Sequence, residues 1–422
     1  MVAGTGIPRR PAANEHAVTP GEPAPPWRRE SDGRRRKADD AVAPGLARCE
    51  IVDTRWDGLR AEVRATIGEL VSSGREAGVQ VAAYLDGFAI VTEQAGLADT
   101  TSGRPMTADT PVHAVSTGKG LTATVVHVLA ERGRLDYDLP LAAVWPEFAR
   151  HGKDGITLRH VLTHTAGLPA LPAGVTPEDF TDWTRMCALL ADARPLWTPG
   201  ERLAYHAWTW GWLLGEVVRR VTGLPVSRVL ADEVAGPLGV DRELFLGVPE
   251  ADLPRLARLE DAGLSALMTW AGANLPHFDA VAPPAVRPDT VIGSRPDVLR
   301  ADVPSVGTMS ARAVARMYAA LLGPVDGVRL VSAERMREVS APAVRAQEWV
   351  FGQESAFGLG YAVEDDGSFG TAGSGGSLAF AYPELGLTVA ALRNRLGAGD
   401  GDPMERLRTL VRDRVAEATG HR

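Results

Sequence analysis

Apolar residues recur at helical spacing soon after residue 55. One face of a predicted helix over residues 56–72 carries Leu59, Val63, Ile67, Leu70 and Val71. The next stretch, VQVAAYLDGFAIVTEQAG, contains two β-rich runs around Asp86 and Gly87. Asp-Gly between two such runs is typical of a tight hairpin turn. A second helical pattern begins at Ser116 and stops at Gly133, a suitable residue for a helix C-cap.

The rest of the chain divides into a helical middle and a β-rich end. Residues 155–350 are mostly helical patterns broken by proline and glycine, and three strand-like runs follow, namely AFGLGYAVEDD, GSGGSLAFAYPE and LGLTVAALRNR. A last helix is predicted over 403–417. The pattern therefore predicts an α/β domain of the α+β type over residues 53–420. Its central antiparallel sheet is built from N- and C-terminal segments and flanked by helices, with a mainly helical insertion at roughly 140–350.

Composition narrows the class of protein. The chain has 422 residues, 45% of them hydrophobic, and a net charge of −8, which disfavours a nucleic-acid partner. No apolar run is long enough to span a membrane. Residues 1–52 are rich in proline and arginine and lack the apolar stretch of a secretory signal, so they predict a disordered leader and a cytoplasmic protein. Two cysteines, Cys49 and Cys187, make no disulfide framework, and nothing specifies an oligomeric state.

Lysine is rare in this chain, which draws attention to Lys119. Lysine and arginine together number 45, yet lysine stands only at positions 37, 119 and 153. Lys119 follows Ser116 by three residues, a spacing that places both side chains on one helix face. An ammonium beside a serine at a helix start can move a proton and favour the alkoxide, and Ser-Lys pairs replace the Ser-His-Asp triad in some enzymes. The alternative is a polar helix start that faces water.

Four segments in fixed order add context to this pair. They are PVHAVSTGKGLTATVVHVLAERGRLDYDLPL, ITLRHVLTHTAGLP, WTPGERLAYHAWTWGWLLGEVV and FGTAGSGGSLAFAYPELGL. Together they resemble the serine β-lactamase and penicillin-binding-protein superfamily, from about residue 54 to 418, and most of all its class C branch with the related carboxylesterases. The resemblance implies a β-lactamase/transpeptidase-like fold. It also implies a Ser-x-x-Lys helix, a Tyr-x-Asn loop and a Lys-Thr-Gly strand around one cleft.

The resemblance assigns catalytic roles to three side chains. Ser116 matches the nucleophile, Lys119 its proton-handling partner, and Tyr205 in LAYHAW the tyrosine of the second motif. A tyrosine with a pKa near 10 is a poor base at neutral pH, so this reading expects Lys119 to lie close enough to depress the pKa of Tyr205. The alternative for Tyr205 is an aromatic residue packed on Trp208 and Trp212.

The third motif falls at Thr371, Ala372 and Gly373. The backbone N–H of Ser374 would then join that of Ser116 as an oxyanion hole, which stabilises charge formed in the transition state. Thr371 and Gly373 are thereby substrate-binding candidates.

Two departures from the family pattern bear on the substrate. Ala207 stands where the second motif has asparagine, and Thr371 stands where the third motif has a cation. A lost charge-assisted bond to a substrate carboxylate costs roughly 1.5–3 kcal/mol. The changes favour an uncharged ester or thioester over a β-lactam or a D-Ala-D-Ala peptide.

The sequence thus predicts a serine hydrolase, a carboxylesterase that works through an acyl-Ser116 intermediate on a small-molecule ester, without metal or organic cofactor. An acyltransferase that uses the same intermediate is the first alternative. A β-lactamase or DD-peptidase is less favoured, and a binding or sensor protein that has lost turnover is the remote one.

Other patterns are weighed against this reading. The segment AGSGG could be the nucleophile elbow of an α/β-hydrolase with Ser374 attacking, but strand-like residues follow it where that fold needs a helix. His160 and His164 are four apart and could face a metal, although no third ligand is evident. Four tryptophans flank Tyr205, either as core or as an aromatic wall for the substrate. In the second case Trp208 or His206 would reach the ligand, and His206 could assist proton transfer.

Overall fold

The computed structural model describes residues 54–397 and 401–421. The leader predicted over residues 1–52, and Cys49 within it, lie outside these residues. Cys187 is a buried free thiol. Within the described ranges, each helix is too short or too polar to cross a bilayer.

Most strands lie in the N- and C-terminal segments, and most helices lie between them. The α-helices are α1 (Asp57–Ser72), α2 (Lys119–Glu131), α3 (Leu141–Val144), α4 (Leu158–Leu162), α5 (Trp183–Asp192), α6 (Thr209–Thr222), α7 (Val226–Leu230), α8 (Leu264–Asn274), α9 (Phe278–Val281), α10 (Thr290–Gly293), α11 (Pro296–Arg300), α12 (Ala311–Leu322), α13 (Ala333–Ser340) and α14 (Pro403–Thr419). The strands are β1 (Gly78–Leu85), β2 (Phe88–Asp99), β3 (Arg104–Pro105), β4 (Val112–His113), β5 (Leu244–Phe245), β6 (Glu260–Asp261), β7 (Thr308–Met309), β8 (Val344–Gln347), β9 (Glu354–Phe357), β10 (Ala362–Val363), β11 (Phe369–Ala372), β12 (Leu378–Tyr382), β13 (Leu387–Arg393) and β14 (Arg395–Leu396).

The main sheet confirms the predicted architecture. Its nine strands run in the order β3-β2-β1-β13-β12-β11-β10-β9-β8, and its paired strands are antiparallel. Strand β1 pairs with β13 from Val79 opposite Arg393 to Leu85 opposite Leu387, so the N- and C-terminal segments meet in its centre. The predicted hairpin joins β1 to β2. Its turn residues Asp86 (φ 50°) and Gly87 (φ 84°) both have positive φ, as a type I′ turn requires.

Alternate residues of the sheet face two different layers. Val79 and Val81 of β1 belong to the cluster that α1 and α14 cover, whereas Ala82 and Tyr84 face the larger core that contains α12. This period of two follows from the pleat of a strand. The sheet therefore lies between two helical layers, and the larger core extends from it into the insertion.

The insertion is mainly helical, as predicted, with two departures. Two small sheets lie within or against it, one with the order β4-β7-β5 and one that pairs β6 with β14. Strand β8 already returns to the main sheet at Val344, so the helical region ends earlier than the predicted residue 350. Helix α2 is buried from Lys119 to Ala130. A helix without a water-facing side fixes the residues at its N-terminus firmly.

Candidate active site

Ser116 lies in a short 3-10 turn, Val115–Gly118, directly before α2. The residue before it, Val115, has a φ of +48°, a left-handed conformation that β-branched residues rarely adopt. Two backbone hydrogen bonds hold this turn, from Ala114 N–H to Gly307 O at 2.9 Å and from Gly307 N–H to Val115 O at 3.1 Å. Strain of this kind persists only where neighbouring structure enforces it, and it is found at functional sites.

A pair of glycines brings the segment around Gly307 against the serine turn. A Cβ atom on Gly118 would lie 2.0 Å from the backbone nitrogen of Gly307. Only glycine at position 118 therefore permits this contact. The contact matters because the carbonyl of Ser305, in the same segment, accepts a hydrogen bond from Lys119.

Lys119 is buried beside the serine. Its Nζ lies 3.5 Å from Ser116 Oγ, 2.7 Å from the Ala207 carbonyl oxygen and 3.0 Å from the Ser305 carbonyl oxygen. Burial lowers the pKa of Lys119 to about 7. A neutral amine has two N–H donors, which the two carbonyls accept, and its lone pair is then left for the hydroxyl of Ser116. The backbone carbonyl of Ala207 is thus a hydrogen-bond acceptor for Lys119, although the asparagine side chain of the family motif is missing at this position.

The pKa of Tyr205 is shifted in the direction opposite to the one predicted. Burial raises it to about 12, a hydrogen bond with Ser116 opposes the rise, and the carboxylate of Glu348 adds to it. Lys119 Nζ lies 4.9 Å from the centre of the tyrosine ring, over its face. The missing hydration of the phenolate dominates, so Tyr205 is a phenol at neutral pH and can donate a proton rather than accept one.

Three successive backbone amides hold Tyr205 in place. The N–H of Ala204 donates to the His164 carbonyl oxygen (3.0 Å), that of Tyr205 to Glu348 Oε1 (2.6 Å) and that of His206 to His164 Nδ1 (3.1 Å). Glu348 is 2% exposed, and its other oxygen accepts the N–H groups of Val350 and Phe351. No sequence pattern indicates Glu348, and sequence spacing indicates His164 only as a possible metal ligand.

The third motif lies on β11 and the turn after it. Thr371 Oγ1 donates to the Thr117 carbonyl oxygen at 2.9 Å and lies 3.0 Å from Tyr318 Oη. The hydroxyl of this substrate-binding candidate is therefore engaged within the protein. A Cβ atom on Gly373 would lie 2.4 Å from the Ala114 carbonyl oxygen, so a side chain there would separate β11 from the serine turn.

The turn after the third motif carries the second oxyanion candidate. The backbone N–H of Ser374 donates to no acceptor in the part of the chain that the structure describes. Strand β12 follows this turn, so Ser374 does not precede the helix that an α/β-hydrolase elbow needs.

A buried arginine fixes the same turn. Arg393 Nε donates to the Gly375 carbonyl oxygen at 2.7 Å. Its guanidinium also forms ion pairs with Glu76 (2.8 Å) and Asp402 (2.6 Å). Arg393 and Glu76 are almost fully buried. Arg393 thereby links this turn to Glu76, which precedes β1, and to Asp402, the N-cap residue of α14.

These residues surround a cavity of about 600 Å³. Its lining combines catalytic candidates, an aromatic wall and a charged rim: Ser116, Lys119, His164, Tyr205, Arg345, Glu348, Phe351, Gln353, Glu354, Ser355, Ala356, Phe357, Gly360, Ala362, Val363, Glu364, Asp365, Gly370, Thr371, Ala372, Gly373, Ser374 and Phe380. Arg345 at the rim forms ion pairs with Glu354 (3.4 Å) and Asp365 (2.9 Å). The cavity suits a ligand with apolar groups, and its rim arginine is already paired.

His206 and Trp208 lie away from this cavity. His206 is fully buried, with Nδ1 2.6 Å from the Ala204 carbonyl oxygen and Nε2 accepting the Leu168 N–H at 3.1 Å. Both ring nitrogens are used, so His206 has none left for a ligand or a proton transfer. Trp208 packs in the core with its ring 4.8 Å from Phe180. Trp208, Trp210 and Trp212, at and after the start of α6, are core residues. Phe357 of β9 and Phe351 form the aromatic wall of the cavity instead.

The histidines considered as metal ligands are not arranged for one. His160 Nδ1 accepts the backbone N–H of Thr157 at 3.1 Å, and His164 Nδ1 accepts that of His206. Over residues 54–397 and 401–421, no three His, Cys, Asp or Glu side chains are grouped as metal ligands would be.

Comparison with known proteins agrees with this geometry. Residues 63–413 match the Beta-lactamase family model. The chain is 38% identical over 343 residues to Esterase/beta-lactamase LipL of Mycobacterium tuberculosis (strain ATCC 25618 / H37Rv), covering 76% of this chain and 78% of that protein. The crystal structure of a family VIII carboxylesterase superposes with a TM-score of 0.76 at 29% identity, over 84% of this chain and 97% of that one. A penicillin-binding protein homolog from Caulobacter crescentus superposes with a TM-score of 0.74 at 30% identity, over 85% and 97%.

Proposed function

This chain belongs to the beta-lactamase family, and we propose that it is a serine esterase that cleaves an uncharged carboxylic ester through an acyl-Ser116 intermediate. The observation that carries the proposal is the buried Ser116–Lys119 pair, 3.5 Å apart, in which burial brings the pKa of the amine to about 7. An amine with a pKa near the working pH is partly in its neutral form, which can accept a proton, and is still basic enough to take one from serine.

The first step transfers the serine proton. Neutral Lys119 accepts the proton of Ser116 Oγ as that oxygen attacks the ester carbonyl carbon, and the Ala207 and Ser305 carbonyls then hold the ammonium. The carbonyl oxygen of the ester becomes an oxyanion. The backbone N–H groups of Ser116 and Ser374 receive it, and such donors stabilise the transition state more than the ground state.

The second step releases the alcohol. As the bond between the acyl carbon and the alkoxy oxygen breaks, the phenol of Tyr205 gives its proton to the departing oxygen. The phenol suits this role because its pKa of about 12 keeps it protonated until an alkoxide, which is more basic than a phenolate, is formed. Lys119 then restores the tyrosine proton, and a water molecule hydrolyses the acyl-enzyme by the reverse sequence.

The charges around the cavity support an uncharged substrate. Ala207 offers no side-chain amide, and the hydroxyl of Thr371 is bonded to Thr117 and Tyr318. Arg345 is paired with two rim carboxylates. A substrate carboxylate would have to displace one of these partners, whereas an apolar acyl group fits the phenylalanine wall.

The test compares three proteins on p-nitrophenyl butyrate: wild type, Ser116→Ala, and the control Ser73→Ala, an exposed serine just after α1. We expect turnover in wild type and control and a loss of at least about a thousandfold in Ser116→Ala. Mass spectrometry of wild type with substrate should detect the acyl group on the peptide that contains Ser116. Full activity in Ser116→Ala would overturn the proposal.

Two further substrates test the specificity. Hydrolysis of the β-lactam nitrocefin should be slow relative to the butyrate ester, and a faster nitrocefin reaction would show that Ala207 and Thr371 do not exclude β-lactams. Added alcohols or amines divert the acyl group if the enzyme is an acyltransferase. Ester or amide products that form at the expense of butyrate would assign that activity.

A further inference from the structure

His164 has one ring nitrogen that the protein itself does not use. The residue is 2% exposed and lines the cavity. Its Nδ1 accepts the backbone N–H of His206 at 3.1 Å. Burial, with smaller effects of His206 and Lys119, holds the pKa of His164 well below its usual value, so the ring is neutral. A neutral ring whose Nδ1 is an acceptor carries its proton on Nε2.

The ring is held rigidly in this orientation. His164 has a φ of +60°, a left-handed conformation, and its carbonyl oxygen accepts the N–H of Ala204. The imidazole packs between Tyr205 and Phe357, with ring centres 4.7 and 4.8 Å away. Among the residues of the structure's two described ranges, none accepts a hydrogen bond from Nε2–H. Nε2 is not one of the fully buried polar atoms that lack a partner, so it is open to the cavity and can donate to an acceptor that enters there.

We propose that His164 is a catalytic residue that donates an Nε2–H hydrogen bond to the alkoxy oxygen of the bound ester. The inference rests on the proposed esterase function and adds a group to it. The alkoxy oxygen is the acceptor we assign because His164 packs against Tyr205, the residue that protonates the leaving group. The oxyanion, by contrast, is received at Ser374.

In the reaction, His164 keeps its proton throughout. Negative charge builds on the alkoxy oxygen as the acyl C–O bond breaks, and the Nε2–H bond strengthens with that charge. The proton that neutralises the oxygen comes from Tyr205, whose own proton is replaced from the Lys119 ammonium. His164 is not a base, because its one acceptor nitrogen is occupied by the His206 amide.

The variant His164→Asn separates the two nitrogens. An asparagine Oδ1 can take the place of Nδ1 as acceptor for the His206 N–H, and asparagine tolerates positive φ better than most residues. It has no group at the position of Nε2. The matched control is His160→Asn, because His160 also uses Nδ1 as a backbone acceptor, one helical turn earlier, and does not line the cavity.

The measurement is kcat/KM for ethyl butyrate and p-nitrophenyl butyrate. Ethoxide is a poor leaving group and nitrophenolate a good one, so only the ethyl ester needs strong help at the leaving oxygen. We expect His164→Asn to lower kcat/KM about 10–100-fold on ethyl butyrate, as for loss of a charge-assisted bond, and less than about fivefold on the nitrophenyl ester. His160→Asn should leave the ratio of the two rates unchanged.

The outcomes separate this inference from the esterase proposal. Equal losses of His164→Asn on both esters would reduce His164 to a positioning residue, and no loss would also overturn the inference. Activity in Ser116→Ala would instead overturn the esterase proposal. If His164→Asn does not fold, His164→Gln is measured, since its amide N–H reaches towards the place of Nε2. Gln should keep the wild-type ratio of the two rates, and a selective loss on ethyl butyrate would contradict the inference.

Discussion

The backbone N–H of Tyr205 donates to the carboxylate of Glu348, 143 residues further along the chain, at 2.6 Å. The same carboxylate holds the N–H groups of Val350 and Phe351. One buried acid therefore fixes both the proposed proton donor and the loop that carries part of the aromatic wall. Displacing this acid should disturb binding and chemistry together.

Glu348→Gln tests this coupling. An amide in place of the carboxylate keeps one acceptor oxygen, but its NH2 group replaces the other oxygen. That NH2 donor would then face backbone N–H donors instead of accepting from them. We expect the free energy of unfolding to fall by about 1–3 kcal/mol and kcat for p-nitrophenyl butyrate to fall about tenfold or more. Urea denaturation and steady-state kinetics measure the two. The control Glu69→Gln, an exposed acid paired with Arg75, should change neither by a measurable amount, and an equal effect of both variants would contradict the expectation.

The pH dependence of kcat/KM should report Lys119. Its base form is the neutral amine, so activity is lost as pH falls through a pKa of about 7 and levels off above it. We expect a tenfold change per pH unit on the acid side, measured with p-nitrophenyl butyrate. The pH profile of the remaining activity in Tyr205→Phe should have the same midpoint as that of wild type. Tyr205 stays protonated far above this pH range, so its titration does not set the midpoint. A midpoint above 9 would mean that burial does not lower the pKa of this amine as described.

Lys119 and Tyr205 should act as one unit. Lys119→Ala and Tyr205→Phe each remove one proton-transfer group from the same path. We expect each substitution to lower kcat about 10²–10⁴-fold. The kcat of the double variant should be little lower than that of the poorer single variant, because either substitution alone already stops proton transfer along this path. Losses that multiply would indicate that the two residues work independently. Circular dichroism of each variant verifies that the fold is kept.

Gly118→Ala should separate the serine turn from its neighbour. The added Cβ would meet the Gly307 nitrogen at 2.0 Å, so the backbone must move, and we expect a loss of about 1–3 kcal/mol in the free energy of unfolding together with lower kcat. Gly155→Ala is the matched control, because a Cβ there meets nothing within 4 Å. It should stay within about 0.5 kcal/mol of wild type. An unchanged Gly118→Ala protein would show that the contact is easily relaxed.

Local patterns predicted the elements and the main motif well. The α1 helix and the β1–β2 hairpin follow from apolar spacing and from Asp86 and Gly87, which need no distant contacts. The antiparallel sheet from both chain ends follows from where the strand-like runs lie. The structure also places Ser116, Lys119 and Tyr205 around one cavity, although their catalytic roles stay proposals.

What the sequence missed depends on burial and on distant pairing. Spacing alone could not show that Tyr205 loses its hydration, and so the expected direction of its pKa shift was wrong. Glu348 reaches the site only through the return of the chain after the insertion. Trp208 is close to Tyr205 in sequence, but its ring packs on Phe180 in the core, a contact that spacing alone does not indicate.

The buried Arg393 cluster also bears on when the enzyme becomes active during its synthesis. The proposed oxyanion turn is bonded to Arg393, and Arg393 pairs with Asp402 at the start of the last helix. A ribosome delivers this helix after Ser116, Lys119 and Tyr205, at about 5–20 residues per second. A nascent chain stalled before Asp402 emerges should therefore carry the proposed nucleophile and proton donor without the ion pair that secures the proposed oxyanion turn, and we expect its esterase activity to appear only after the C-terminal helix has docked.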